Sequence, residues 1–411
     1  MIGGELHAEG VALSEIAERF GTPCYVYSKT ALVEAMLAFQ EPLHGRDHLI
    51  CYAMKANSNL SILRLFAGMG GGFDIVSGGE LQRVIAAGGD PGKVVFSGVG
   101  KSEAEIRLAL EKRILCFNVE SRSELLRIAR IAAVLGVQAP ISLRVNPDVD
   151  AGTHPYISTG LKENKFGIPL EDARALYGEA AGLPSLKVVG VDCHIGSQIT
   201  EIAPFVDALG TVLELVRTLE SDGIHLHHID VGGGLGIRYD SETPPSPRDY
   251  LEAITTRLAG FPQKLLLEPG RALVGNAGLL LTRVEYLKPG EAKNFAVVDA
   301  AMNDLARPAL YQAYHAITAV RPRAEVALSY DVVGPVCESG DFLGLQRNLA
   351  LREGDLLAVH GAGAYGMSMA SNYNTRSRPV EIMVDAEACQ IIRKRESMGD
   401  LLNLERELGS G

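Results

Sequence analysis

The stretch Leu49-Ile50-Cys51-Tyr52-Ala53-Met54-Lys55-Ala56-Asn57 is an apolar run that ends in a lysine and then turns at once to small and polar residues. Read alone, it is one buried strand with a charged end. The fold follows from its repetition. Eight such runs lie between Leu49 and Arg271, each apolar or β-branched and each ending in Gly, Asn, Ser or a charge. They are Leu49–Met54, Gly72–Val76, Val94–Ser97, Leu115–Val119, Ile141–Val145, Val188–His194, His228–Val231 and Leu265–Glu268. Most intervals place apolar residues at i, i+3, i+4 and i+7, as in Ser121–Leu135 and Ala203–Glu220, which is helical spacing. Eight strand–helix units predict an α/β architecture, a (β/α)8 TIM barrel, with Thr30–Leu43 adding a helix ahead of the first strand. A doubly wound open sheet is the other arrangement open to this pattern, because strand order is invisible in a sequence.

After Arg271 the rhythm changes. Leu279–Tyr286, Phe295–Asp299, Glu325–Val333, Leu356–His360 and Val380–Asp385 read as strands with few long helical stretches between them. They predict a second, mainly β domain of barrel-like character, completed by the N-terminal strand Pro23–Tyr27. The expected division is a barrel over residues 30–275 and a β-rich domain made of residues 1–29 and 276–411. Ser241–Pro247, rich in proline and charge, is expected to be an exposed loop, and the tail Gly409-Ser410-Gly411 to be unstructured.

Of the 411 residues, 47% are hydrophobic and 22% charged, as in ordinary globular proteins with ample core. A net charge of −11 argues against nucleic acid or an anionic membrane as partner. Any anionic ligand must be held by local groups. Six cysteines (24, 51, 116, 193, 337 and 389) form no CxxC pair and no metal-like spacing. With no secretory segment at Met1–Glu5, they are expected to be reduced thiols in a cytoplasmic protein. No run approaches the roughly 18 apolar residues of a membrane helix.

In a barrel of this kind chemistry gathers where the strands end. In order, those ends carry Lys55, Asp74, Ser97, Asn146, His194, Gly232-Gly233-Gly234 and Glu268-Pro269-Gly270-Arg271. A lysine ending a buried strand presents its amine to a cleft, where desolvation favours the neutral, nucleophilic form needed for imine chemistry with an aldehyde. Alone, it is equally a lysine snorkelling from a strand end. The run Asp230-Val231-Gly232-Gly233-Gly234-Leu235-Gly236 brings backbone N–H groups together in a way that suits a phosphate, or makes a tight turn. It is not a dinucleotide fingerprint, because Ile237 stands where the last glycine belongs. Gly270 and the amide of Arg271 are placed to close the cradle. Glu268 beside Arg271 is either an ion pair or an acid that keeps a heterocyclic nitrogen protonated. His194 is either a satisfied core residue or a flat group stacked on that ring. Lysine, cradle, acid and flat side chain together specify pyridoxal 5′-phosphate better than any one of them.

Two other motifs fail on inspection. Gly98-Val99-Gly100-Lys101-Ser102 resembles the end of a nucleotide-binding P-loop, but Val95 occupies the position of the required glycine. His225, His227 and His228 hint at zinc yet feed directly into a strand, so no metal site is expected. In the second domain, Gly334-Pro335-Val336-Cys337-Glu338-Ser339-Gly340-Asp341 reads as a loop presenting a thiol, or as a turn with an incidental cysteine. Gly361-Ala362-Gly363-Ala364-Tyr365-Gly366 presents one aromatic hydroxyl.

Taken together, these segments resemble the diaminopimelate decarboxylase family, within the alanine-racemase-like (fold-type III) group of pyridoxal-phosphate enzymes. The resemblance runs through nearly the whole chain. It includes Tyr52–Asn57, Phe73–Glu80, Arg144–Pro147, Gly160–Ile168, His194–Gln198, Gly232–Gly234, Glu268–Arg271, Gly334–Asp341 and Gly361–Gly366, and Cys337-Glu338-Ser339-Gly340-Asp341 is its most specific part. The resemblance implies decarboxylation of meso-diaminopimelate to L-lysine. It implies that Lys55 holds the cofactor aldehyde, Glu268 pairs with the pyridine nitrogen and His194 stacks on the ring. It implies cofactor contacts from Ser197, Gly234, Glu268, Pro269, Gly270, Arg271 and Tyr365. Arg271, Arg307, Tyr311, Glu338 and Tyr365 would hold the substrate, and Cys337 would supply the proton. A head-to-tail homodimer is also implied, with Cys337 and Glu338 serving the partner's barrel.

Elementary chemistry agrees with these roles. A thiol of ordinary pKa near 8.5 is a workable proton donor at neutral pH. Two guanidinium groups suit a substrate whose far end still carries a carboxylate. The alternatives are an amino-acid racemase, which would put a tyrosine in place of Cys337, and an ornithine- or arginine-type decarboxylase, which would have little use for Arg271 with Arg307. A non-catalytic cofactor-binding regulator should have lost Lys55 or Cys337.

Overall fold

The computed structural model describes residues 1–149 and 165–405. Most of the segment 160–168 named above, and the tail 409–411, lie outside them.

Eight parallel strands close into a ring. We number them β1 (His48–Ala53), β2 (Gly72–Ile75), β3 (Val94–Phe96), β4 (Cys116–Val119), β5 (Ala139–Asn146), β6 (Leu186–Asp192), β7 (His228–Asp230) and β8 (Lys264–Leu267). Each pairs in parallel with the next, and β8 pairs in parallel with β1, with Leu266 opposite Leu49. Closure rules out the open sheet. The expected strands lie within a residue or two of the observed ones, and the helices at 121–135 and 203–220 appear as Arg122–Leu135 and Ala203–Ser221.

Local chemistry marks the helix starts. Ser77, Ser102 and Ser121 each accept an amide from the residue three positions on, and a glutamate stands at that position each time. Leu49 and Cys51 of β1, Val95 of β3, Cys116 of β4, Val189 of β6 and Leu266 of β8 share one buried apolar cluster, the interior filling that makes such a barrel a packed core and not a pore.

By its contacts the chain divides into two units. One comprises 35–237 and 243–272, and the other 1–34, 238–242 and 273–411. In the second, the long strand Gly278–Lys288 is the hub. It pairs antiparallel with Cys24–Ser28, Asn294–Val298 and Leu356–Val359. Cys24–Ser28 in turn pairs in parallel with Val380–Asp385. The expected strand 325–333 shortens to Leu328–Val333.

Five strands of this unit went unforeseen: the short pair His7–Ala8 and Val11–Ala12, and Ile317–Ala319, Phe342–Leu349 and Ala388–Arg393. The last two are the ends of the sheet path, and their exposed residues blunt the apolar alternation that a sequence reading depends on. Ser241–Ser246 has no helix or strand. No helix among the described residues is long and apolar enough to cross a membrane.

Candidate active site

β1 ends in a short 3-10 turn, Met54–Ala56, that carries Lys55. The buried Tyr52 hydroxyl donates to the Asn57 carbonyl at 2.8 Å and holds the turn shut. Lys55 Nζ donates to Asp74 Oδ2 at 2.7 Å, and β1 and β2 bring the two together by pairing Ala53 with Asp74. The lysine side chain is 37% exposed. The expectation of a desolvated amine is therefore corrected, since a carboxylate at hydrogen-bond distance holds it in place.

The interior beside these strand ends is acidic. Asp74, Asp192, Asp230 and Glu268 are all buried, and Asp192, Asp230 and Glu268 each offer an oxygen within 4.8 Å of the others. Glu268 Oε1 accepts from Asn118 Nδ2 at 3.2 Å and, more weakly, from the Ser97 hydroxyl at 3.5 Å. Among the described residues, neither oxygen of Asp192 nor Oδ2 of Asp230 meets a hydrogen-bond donor, while Asp230 Oδ1 accepts from the Gly232 N–H. Burial, reinforced by the charges of Asp230, Asp74 and Asp192, pushes Glu268 well above the carboxylate range. Burial and Asp192 do the same to Asp230. Asp192 rises to about 7, burial outweighing Arg144, whose Nε lies 3.9 Å away. Burial and crowding thus favour the protonated forms of Glu268 and Asp230.

The glycine run after β7 is knitted to its neighbours by backbone. A Cβ at Gly233 would lie 2.1 Å from the Glu268 carbonyl oxygen. One at Gly234, whose φ is +110°, would lie 2.6 Å from that of Gly196. Side chains are therefore excluded on steric grounds. Two of the expected phosphate donors are already committed. The Gly232 N–H donates to Asp230 Oδ1 at 2.9 Å and the Gly233 N–H to His194 Nδ1 at 3.1 Å. Because His194 Nδ1 accepts, its proton sits on Nε2. Burial and the charges of Arg144 and Lys55 push this imidazole well below its usual pKa, so it is neutral. Arg271 Nη2 donates to the Ser197 hydroxyl at 3.0 Å, joining the loops after β6 and β8.

In the β-rich unit, Arg307 opens the helix Arg307–Tyr311 and is buried. Tyr365 adopts φ +56°, an uncommon conformation for a non-glycine residue. The loop Gly334–Asp341 is pinned by Asp341, which accepts from Met302 and Val336 amides at 2.7 Å each. Cys337 and Glu338 stand exposed on it, with Glu338 accepting from the Tyr373 hydroxyl and the Cys337 N–H donating to Asn374 Oδ1 at 3.0 Å.

Residues 29–275 match the family model for the pyridoxal-binding domain of pyridoxal-dependent decarboxylases. The chain is 62% identical to a diaminopimelate decarboxylase of Pseudomonas fluorescens over 97% of its own length and 96% of the relative's. It is 57% identical to one of Vibrio cholerae, over 98% and 97%. Among solved structures, diaminopimelate decarboxylase of Helicobacter pylori complexed with L-lysine superposes with a TM-score of 0.93 at 45% identity, covering 96% of this chain and 99% of that one. The chain belongs to the diaminopimelate decarboxylase family.

The site fits the family's cofactor. The glycine run leaves backbone where a side chain would intrude, and Glu268 favours the protonated form in a carboxyl layer with oxygens that carry no hydrogen bond. Such a layer suits a ring nitrogen that shares a proton. Within the barrel unit, Lys55, His194, Ser197, Gly234, Glu268, Pro269, Gly270 and Arg271 all follow strand ends. Sequence reasoning missed Asn118, Asp192 and the acidic role of Asp230. Their signal was present, a polar residue at or next to the end of a buried strand. His225 pairs with Glu220 at 2.6 Å, and His228 lies buried 3.8 Å from the Cys116 sulfur.

Proposed function

We infer that this chain binds pyridoxal 5′-phosphate and decarboxylates meso-2,6-diaminopimelate to L-lysine and CO2, the last step of lysine biosynthesis. The observation that carries this reading is identity with decarboxylases of that name along nearly the full length of both chains. The lysine, acid and glycine run at the barrel strand ends support it. Cofactor binding is assigned to residues 30–275, with 1–29 and 276–411 forming the β-rich domain.

When bound, the cofactor supplies an aldehyde that condenses with amines and a ring that draws electrons from the α-carbon. The residues do the rest. Lys55, oriented by Asp74, would hold the cofactor through its aldehyde. Glu268 keeps a proton at the ring nitrogen, supported by the neighbouring carboxyls and by Asn118 and Ser97. Neutral His194 would offer its flat side chain to the ring. The Gly234 amide, Ser197, the segment Pro269–Gly270–Arg271 and Tyr365 hold the phosphate. Arg271, Arg307, Tyr311, Glu338 and Tyr365 would hold and orient the substrate. Cys337 delivers the proton to the α-carbon after CO2 leaves.

Cys337 and Glu338, exposed in this chain, serve the barrel of a second copy in a head-to-tail homodimer. Six free thiols, four of them buried, support a reducing compartment, the cytoplasm.

CO2 release from the cofactor-loaded protein tests the reading. We expect turnover of meso-diaminopimelate with little from lysine, ornithine or arginine. A buried guanidinium left without its carboxylate costs several kcal/mol, or about a hundredfold and more in discrimination. Comparable ornithine turnover would favour a polyamine-type decarboxylase instead.

A further inference from the structure

Arg307 is held by two rings. Its Nη1 lies 2.9 Å from His315 Nε2, and its guanidinium carbon lies 4.6 Å from the centroid of Tyr239. A guanidinium has no acceptor, so His315 Nε2 must be the acceptor here. The proton of that imidazole then belongs on Nδ1, and the second contact agrees, since Nδ1 lies 2.8 Å from the His360 carbonyl oxygen and donates to it. His315 is therefore neutral, with one nitrogen turned to Arg307 and the other to the backbone.

That backbone is itself fixed. His360 follows the strand Leu356–Val359, which pairs with Ile317–Ala319, and its N–H donates to the Ala316 carbonyl at 2.9 Å. The Tyr239 ring meets His315 edge-on, 5.3 Å away at 76°, so all three groups brace one another. Gly361 makes the room. With φ +64°, a Cβ there would press on the Tyr239 ring at 3.2 Å.

We propose that His315 and Tyr239 are positioning residues that set the plane of the Arg307 guanidinium for the distal carboxylate of the substrate. The proposal rests on the assignment of Arg307 to substrate binding. An in-plane acceptor and a covering ring fix a guanidinium in both tilt and rotation, and two-toothed recognition of a carboxylate depends on both. His315 and Tyr239 are neutral, so they orient the cation without cancelling its charge. A carboxylate in place of His315 would orient Arg307 equally well, but it would compete with the substrate. His315 is fully buried, where an apolar side chain would otherwise be the cheaper filling.

The test uses the cofactor-loaded enzyme with His315→Leu, His315→Gln, Tyr239→Leu and Arg307→Lys. It measures kcat and KM for meso-diaminopimelate, together with calorimetric affinity for L-lysine and cadaverine. L-Lysine keeps the distal carboxylate and cadaverine lacks it, so a merely structural defect weakens both alike. For His315→Leu we expect KM to rise about ten- to a hundredfold, the worth of a hydrogen bond to a charged group, with kcat little changed. L-Lysine affinity should fall by the same factor and cadaverine affinity should hold. His315→Gln, whose amide oxygen can accept, should recover part of the loss. Tyr239→Leu should show the same pattern at smaller size, and it decides the matter should His315→Leu fail to fold.

Unchanged KM and L-lysine affinity in the folded variants, or equal weakening of L-lysine and cadaverine, would overturn the proposal. Arg307→Lys separates the two layers. If it raises KM while the His315 and Tyr239 variants do not, only the positioning role falls. If it leaves KM unchanged, the assignment of Arg307 falls and the positioning role with it.

Discussion

In the barrel unit, Asp74, Asp192, Asp230 and Glu268 are gathered at buried strand ends, with Lys55 and Arg144 as their cations. In the β-rich unit a buried guanidinium, Arg307, is held by two neutral rings. The contrast follows from what each group can give up. A carboxyl among carboxyls can take a proton, and burial drives it to do so, which makes the layer a natural holder of a proton for a ring nitrogen. A guanidinium cannot shed its charge at any ordinary pH, so neutral partners can orient it and leave that charge for an anion. The barrel residues should therefore govern the chemical step, and the Arg307 group should govern which substrate is held.

The largest effect expected from that contrast is at Lys55. Lys55→Ala should abolish turnover, and borohydride reduction of the wild-type enzyme followed by peptide mass spectrometry should place the cofactor's mass on Lys55. Mass found on any other lysine would remove the assignment. Glu268→Gln should come next. It should lower kcat about a hundredfold or more while the cofactor stays bound, because the interaction matters most as charge enters the ring. A near-normal kcat would take Glu268 out of its role and break the contrast on the barrel side.

A recovery experiment probes the β-rich side. Lys55→Ala and Cys337→Ala should each be inactive alone, yet active when mixed and allowed to exchange subunits. Half the dimers would then be mixed, with one of two sites intact, giving about one quarter of wild-type activity. Persistent inactivity after exchange, verified by native mass spectrometry, would mean that each chain supplies both residues to its own site.

The smallest effect is on stability. Burial raises Asp192 from 3.8 to about 7, against the pull of Arg144. Between those values the folded chain holds a proton that the unfolded chain has released, so this group's contribution to stability is full below about pH 4 and is lost as pH rises through about 7. Urea unfolding at pH 5 and pH 8 should show a smaller loss in Asp192→Asn than in wild type. An equal loss in both would mean that another carboxyl holds the proton.

Much of the barrel was legible because each strand is a local statement. An apolar run ended by a polar residue can be read without knowing its neighbours, and Lys55, His194, Gly232–Gly234 and Glu268–Arg271 were found in that way. Asn118, Asp192 and Asp230 were passed over for the same reason. Each is a polar residue in a short buried strand, and nothing nearby in the chain reveals that β4, β6 and β7 bring them to one carboxyl, Glu268. In the β-rich unit the edge strands Phe342–Leu349 and Ala388–Arg393 were missed because a strand paired on one side carries a diluted pattern.

By itself, then, the sequence determined the eight strand–helix units, the composition of a well-filled core, and the lysine, acid, histidine and glycines at the strand ends to which the chemistry is assigned. These are properties of contiguous residues, written in periodicity and side-chain type. Only the tertiary structure decided that the strands close, with β8 beside β1, and that two glycine amides are already committed. It alone made Asp74 the partner of Lys55, buried carboxyls together until they hold protons, and set His315 and Tyr239 against Arg307. Each of these depends on distances between residues far apart in the chain, and on the loss of water around them, neither of which any local pattern encodes.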